Sequence, residues 1–285
     1  MNKQSRFQWR ILVLGFVFLL PLSQRALGQD ISDWKVNFPK SRQKVDQLPP
    51  PDSLYIFLMA GQSNMAGRGF VEPADTLPNP RILTLDQDNT WIYAQEPLHF
   101  YEPNLTGLDC GMSFGRTLLE SLPQGVSIAL LPCAVGGSSI EQWLGNETHR
   151  GVALLDNFKE KVAIAQSKGQ IKGILWHQGE SNANPELLPS YGQKLDSLIA
   201  LFRGIVQEEK LPMVLGELGS YSETKESREN WKAINSILKK EVKGDPYLGL
   251  VKTKDLQHKG DQIHFDSEGQ RKIGQRFAKT YLKIQ

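Results

Sequence analysis

Ser63, Asp261 and His264 are the residues of this sequence whose types and placement suit nucleophilic chemistry. Residues 54–59 form an apolar run of strand length, and Ala60-Gly61-Gln62 then leads straight to Ser63. A run without polar alternation suits a strand buried on both faces of a parallel sheet. Chain leaving the carboxyl end of such a strand is where open α/β sheets carry ligand sites. A serine there is either a helix N-cap or a nucleophile near exposed backbone N–H groups. Asp261-Gln-Ile-His264 supplies what a nucleophile needs. His264 can take the hydroxyl proton, and Asp261 can fix the imidazole tautomer and stabilise the imidazolium. The backbone N–H groups of Ser63 and Gly136, with the side-chain amide of Gln178, can receive a developing oxyanion. That set is the machinery of acyl transfer. Ser63 as a mere cap leaves the Asp261–His264 pair without a purpose.

These residues need a scaffold that brings four segments to one edge. Apolar runs at 54–59, 126–131, 171–176, 213–218 and 248–251 predict five strands. Helical spacing at 113–122, 152–166, 190–205, 228–242 and 267–281 alternates with them. That alternation predicts an α/β fold whose central five-stranded, mostly parallel sheet has helices on both faces. The first three strands run into Ser63, into Gly136-Gly137 and into Gln178, and the Asp261–His264 loop precedes the last helix. Ser190 with Gln193, and Ser267 with Gln270, have capping-box spacing. Residues 72–110 carry five prolines and only two short strand candidates, Ile82–Leu85 and Trp91–Tyr93. So long an irregular stretch in a compact domain is expected to wall a binding site.

Length and composition bound the rest. The 285 residues, 40% hydrophobic and 22% charged, fit one α/β domain. A formal net charge of +2 gives no case for nucleic acid or for an acidic membrane surface as partner. Lys3, Arg6 and Arg10 precede an apolar stretch at 11–22, and Ala26-Leu27-Gly28 has small residues where a signal peptidase reads. Residues 1–28 are therefore read as a cleaved signal peptide, which predicts a secreted or periplasmic protein with no membrane attachment after cleavage. Residues 29–51 form a polar N-terminal lead, and Pro49-Pro50-Pro51 is expected to mark where the folded domain, 52–285, begins. Cys110 and Cys133 are the two cysteines, and they could pair in an oxidising compartment. Asn104-Leu-Thr106 and Asn146-Glu-Thr148 match the N-glycosylation pattern. His177, Glu180 and His264 follow no common zinc spacing, so no metal is expected. His177 reads as a buried structural residue, and His99 and His258 as surface residues. Trp143, close to the glycine pair, is the first candidate for stacking on a sugar ring. Core packing is the default for Trp91, Trp176 and Tyr221.

The blocks GQSNMAGRG, VGGSSIEQW, WHQGES and DQIHF, in that order, resemble the SGNH hydrolase superfamily. Within it they resemble the sialate O-acetylesterase and acetylxylan esterase branch, carbohydrate esterase family six. The resemblance covers residues 52–285. It implies a three-layer α/β/α sandwich of flavodoxin-like type, a Ser63–His264–Asp261 triad and removal of acetyl groups from sugars. It also implies an oxyanion glycine at Gly136, with Gly137 as the rival position. The superfamily's signature asparagine is missing. Gln178 stands in its place, and Asn182 is the alternative. The expected protein is an exported serine esterase without cofactor that acts on an acetylated oligo- or polysaccharide such as xylan or a sialic acid glycan. The competing expectation is a non-catalytic glycan-binding module on a hydrolase-like fold. A lipase or thioesterase ranks last, since no long apolar lid is present.

Overall fold

The computed structural model of the chain describes residues 33–285, so the expected signal peptide lies outside the described residues. In chain order the strands are β1 (Leu54–Gly61), β2 (Ile82–Leu85), β3 (Trp91–Tyr93), β4 (Ser127–Pro132), β5 (Thr148–His149), β6 (Val152–Ala153), β7 (Gln170–His177), β8 (Met213–Gly216) and β9 (Leu248–Val251). The helices are α1 (Ser63–Ala66), α2 (Gly111–Leu119), α3 (Ile140–Leu144), α4 (Leu154–Gln166), α5 (Tyr191–Val206), α6 (Lys225–Gly244) and α7 (Ser267–Tyr281). Strands β5 and β6 pair by themselves as a small hairpin.

The central sheet has seven strands rather than the expected five, in the order β3-β2-β4-β1-β7-β8-β9. All neighbours are parallel except β3, which runs antiparallel to β2 at the edge. The two additional strands are the short candidates of the proline-rich stretch. Ile82–Leu85 is buried throughout and pairs with β4, with Leu83 opposite Ala129. Asp86 closes the turn to β3 by accepting the N–H groups of Asp88 and Thr90 on Oδ1.

The pleat of β1 divides the core. Ile56, Leu58 and Ala60 face a cluster built with α3, α4, α5 and α6. Phe57 and Met59 face the other, built with α2 and α7. Phe57 meets Phe114 and Tyr281 edge-on, with centroids 4.8 and 5.0 Å away. A fully buried side chain of this kind contributes about 1.5–3 kcal/mol over an exposed one. Cys133 lies in the first cluster and Cys110 in the second. Both are free thiols on opposite faces of the sheet, so they do not pair. Burial pushes the Cys133 thiol up to about 12, which keeps it protonated and unreactive.

Neither expected capping box forms. Ser190 accepts no capping bond, and α7 is capped by Asp266, whose Oδ1 accepts the Gly269 N–H at 2.7 Å. Ser267 instead donates to the Phe70 carbonyl, and Gln270 to that of Asn64. Both bonds tie the last helix to the chain just after β1. The proline run does not mark the start of folded chain either. Lys44 bridges to Ile92 of β3, the Asn37 amide donates to the Val71 carbonyl at 2.9 Å, and Arg42 donates to the carbonyls of Gln95 and Pro97.

Candidate active site

The site begins where β1 ends. Gly61 pairs with His177 at the last position of β7. Its φ is +136°, and a Cβ there would lie 2.2 Å from the His177 carbonyl oxygen, so only glycine fits. The Gln62 N–H donates to that same oxygen at 2.9 Å, and α1 starts at the next residue. The corner leaves the Ser63 hydroxyl 3.0 Å from Nε2 of His264. His264 Nδ1 lies 2.7 Å from Asp261 Oδ2. The other oxygen of Asp261 accepts the N–H groups of Ile263 and His264, at 3.0 and 2.8 Å. Partial burial pushes the Asp261 carboxyl up. The bonds from the His264 ring and the two backbone N–H groups outweigh it and hold the carboxyl well below its ordinary range. Asp261 therefore stays an anion that accepts the Nδ1 proton and leaves Nε2 as a free base toward Ser63.

Two further side chains shape this corner. Asn64 grips the backbone on both sides of His264: its amide donates to the Ile263 carbonyl at 3.3 Å, and its oxygen accepts the Phe265 N–H at 3.1 Å. The same amide donates to Glu180 Oε1 at 2.7 Å, which gives the glutamate of the HQGES block a task. His258 is only partly exposed, not a simple surface residue, and its Nδ1 accepts the N–H groups of Gly260 and Gln262. It thereby fixes the turn that presents Asp261.

The expected oxyanion donors are not all brought together. The Gly136 N–H is committed to Glu102 Oε2 at 2.7 Å. A Cβ on Gly136 would collide with Arg68 and Glu102, so the glycine is needed for this close approach. Gln178 is fully buried and stands off the cavity wall. Its NH2 group is spent on the Ser138 carbonyl and on Asn182 Oδ1. Asn182 is equally buried, its own NH2 held by Glu141. Gly136 lines the cavity with its N–H engaged, and beside it the wall carries Gly137 and Gln62. The Gln62 oxygen is held by the N–H groups of Gly179 and Ser181, and its NH2 end has no partner among the described residues. The N–H groups of Ser63 and Gly137 are likewise unengaged there. Gln62 was legible as part of GQSN, yet nothing in its residue type singles it out from Gln178.

A cavity of about 810 Å³ opens above Ser63 and His264. Arg68, Arg150, Lys259, Glu180 and Asp261 supply its charges. Glu102, beneath the wall, pairs with Arg68 at 2.6 Å and also with Arg150. Burial pushes the Glu102 carboxyl up, but the two arginines and the Gly136 N–H bring it below its usual value. Asn104 and Leu105 bring the proline-rich stretch to the cavity. Trp143 does not reach it: the ring is buried against Trp176 and Phe202, and its N–H donates to Ser138 Oγ at 2.9 Å. His99 is also buried, its Nδ1 2.9 Å from Asp109 Oδ2. His177 lies in the core, bonded to the Glu217 carbonyl. The tryptophan on the cavity wall is Trp34, from the lead, which no sequence motif marked.

Comparison with known proteins identifies the family. The family model described as carbohydrate esterase, sialic acid-specific acetylesterase, matches residues 53–283. A protein of Arabidopsis thaliana named as a probable carbohydrate esterase is 30% identical in an alignment of 266 positions that covers 85% of this chain and 95% of that protein. An X-ray structure of an Arabidopsis thaliana protein, 30% identical, superposes with a TM-score of 0.69 over 82% of this chain and 98% of the other. NanS, 19% identical, shares the fold with a TM-score of 0.64 over 82% of this chain and 98% of its own. The chain belongs to the sialic acid-specific acetylesterase family of carbohydrate esterases, enzymes that hydrolyse carboxylic esters on sugars.

Proposed function

We propose that the protein is an exported serine esterase that removes O-acetyl groups from a glycan through an acetyl-Ser63 intermediate. The observation that carries this reading is the continuous hydrogen-bonded chain Ser63–His264–Asp261 at the floor of the cavity. Ser63 Oγ attacks the acetyl carbonyl carbon as its proton passes to His264 Nε2. The N–H groups of Ser63 and Gly137 and the NH2 of Gln62 receive the oxyanion. The C–O bond to the sugar then breaks, and His264 returns the proton to the leaving hydroxyl. Water repeats the sequence on the acetyl-enzyme, releasing acetate and restoring Ser63. No step calls for a cofactor. Among glycans, the family description and the Arg150 and Lys259 side chains on the wall favour an acetylated sialic acid over neutral acetylated xylan. Export rests on the signal-peptide pattern at 1–28, and no described helix is long and apolar enough to cross a membrane.

Acetate release from O-acetylated sialic acid, acetylated xylan and a small chromogenic acetate tests the reading. Release is expected from the chromogenic ester and from at least one glycan, the sialic acid first. No release from any of them by folded protein overturns the esterase reading in favour of a glycan-binding module.

Asn64 is a positioning residue in this scheme. Asn64→Ala frees the backbone on both sides of His264 without touching the substrate. A displacement of the base of order 1 Å costs about 10²-fold. The variant is therefore expected to lose about 10- to 100-fold in kcat with KM nearly unchanged. A change in KM alone, or none in kcat, would remove Asn64 from the mechanism.

A further inference from the structure

Residues 33–51 precede the whole span that the family model matches, 53–283, yet Trp34 among them reaches the site. The path is firmly held. The Val45 N–H donates to the Trp91 carbonyl and the Tyr93 N–H to that of Gln43, both at 3.0 Å, which extends the sheet edge beyond β3. The bonds of Arg42 and Asn37 continue the anchoring up to Val71, next to Phe70. A single turn, Asp33–Lys35, followed by a second turn in which the Phe38 N–H donates to the Lys35 carbonyl, then presents Trp34. Phe38 supports the Trp34 ring edge-on with centroids 5.2 Å apart, and the Lys35 ammonium lies 5.2 Å from the ring centroid.

Trp34 lines the same cavity as Ser63 and His264. Phe70, Leu105 and Ile263 line it too, and they are 43%, 49% and 45% exposed. Large apolar side chains gathered at the mouth of a polar cavity mark a binding surface. The cavity, at about 810 Å³, lies toward the upper end of the range that encloses ligands of drug size, far more than an acetyl group needs. Tryptophan combines a broad apolar face with a polar N–H, the surface that a pyranose ring with its C–H face and hydroxyl rim can stack on.

We propose that Trp34, with Phe70 on the same cavity wall, forms a stacking subsite for a sugar ring beyond the acetylated one, so that the lead before the esterase domain sets substrate length preference. The inference rests on the acetylesterase reading and adds to it an element outside the matched domain. It commits to a carbohydrate occupant because the surface is continuous with the floor where the sugar ester must lie.

The test compares the intact protein, Trp34→Ala and Trp34→Phe on three substrates. These are an acetylated oligosaccharide of the preferred glycan, the matching acetylated monosaccharide and the chromogenic acetate. The ratio of kcat/KM for the oligosaccharide to that for the monosaccharide is expected to fall about 3- to 10-fold in Trp34→Ala, mainly through KM. Trp34→Phe is expected to recover most of it. Equal loss on all three substrates would mean a structural role and overturn the proposal, as would an unmoved ratio. If the intact protein cleaves the chromogenic acetate but no glycan, the glycan reading falls and the subsite with it. If it cleaves the oligosaccharide and Trp34→Ala does so equally well, the subsite alone falls.

Discussion

Replacing Ser63 with alanine is expected to lower kcat by about 10⁴- to 10⁶-fold, the range for removing the nucleophile of a working triad. The expectation follows from how little else the hydroxyl does. Ser63 is buried at the first position of α1, and among the described residues its side chain bonds only to His264 Nε2. The backbone bonds of Gln62 that shape the corner do not involve the hydroxyl. The variant should therefore fold as the intact protein does, with thermal unfolding close to unchanged, while acetate release from the chromogenic ester falls to background. Activity within tenfold of the intact enzyme would refute the acyl-serine route, because no second hydroxyl among the described residues is hydrogen-bonded to His264.

Asp261→Asn should have the second largest effect, by a different cause. Two backbone N–H groups claim one side-chain oxygen of Asp261. An asparagine that keeps those bonds turns its NH2 toward His264 Nδ1. The ring must then carry its proton on Nε2, where it can no longer accept one from Ser63. In a buried triad this inversion costs about 10⁴-fold in kcat. Here the Asp261 side chain is about a third exposed and Lys259 stands 3.7 Å away, so water can compete for the ring. A loss of about 10²- to 10³-fold is the expected result. Asp261→Ala, which also frees the two N–H groups, should lose more and melt lower. Comparing kcat and thermal unfolding for the pair separates tautomer control from support of the loop, and equal kcat in Asp261→Asn and the intact enzyme would exclude the tautomer argument.

Much of this site is legible in the sequence because its chemistry is local. Asp261 and His264 share one loop, and Ser63 follows an uninterrupted apolar strand, so residue type and spacing carry the signal. The oxyanion side was less legible. Whether Gly136 or Gly137 offers a free N–H depends on Glu102, 34 residues away, which claims the Gly136 N–H. Gln178 and Gln62 have the same chemistry and are both buried, and only Gln62 lines the cavity, which a pattern does not record. Trp143 follows the same logic: its place beside the glycine pair suggested the cavity, while Ser138 and the α5 packing draw it into the core. Two of the seven strands are hard to read in the sequence because β2 and β3 are only four and three residues long. Trp34 could not be read at all, since its meaning comes from an edge pairing more than 45 residues apart in the chain.

The position of Asn104 bears on how the protein can be made. It is exposed on the cavity wall and begins the triplet Asn104-Leu-Thr106. A eukaryotic secretory host that modifies this triplet would hang an oligosaccharide of its own at the mouth of the site. Material from such a host would be correctly folded and obstructed, and its weak turnover would reflect the expression system rather than the enzyme. Bacterial production, or Asn104→Gln in a eukaryotic host, avoids the artefact.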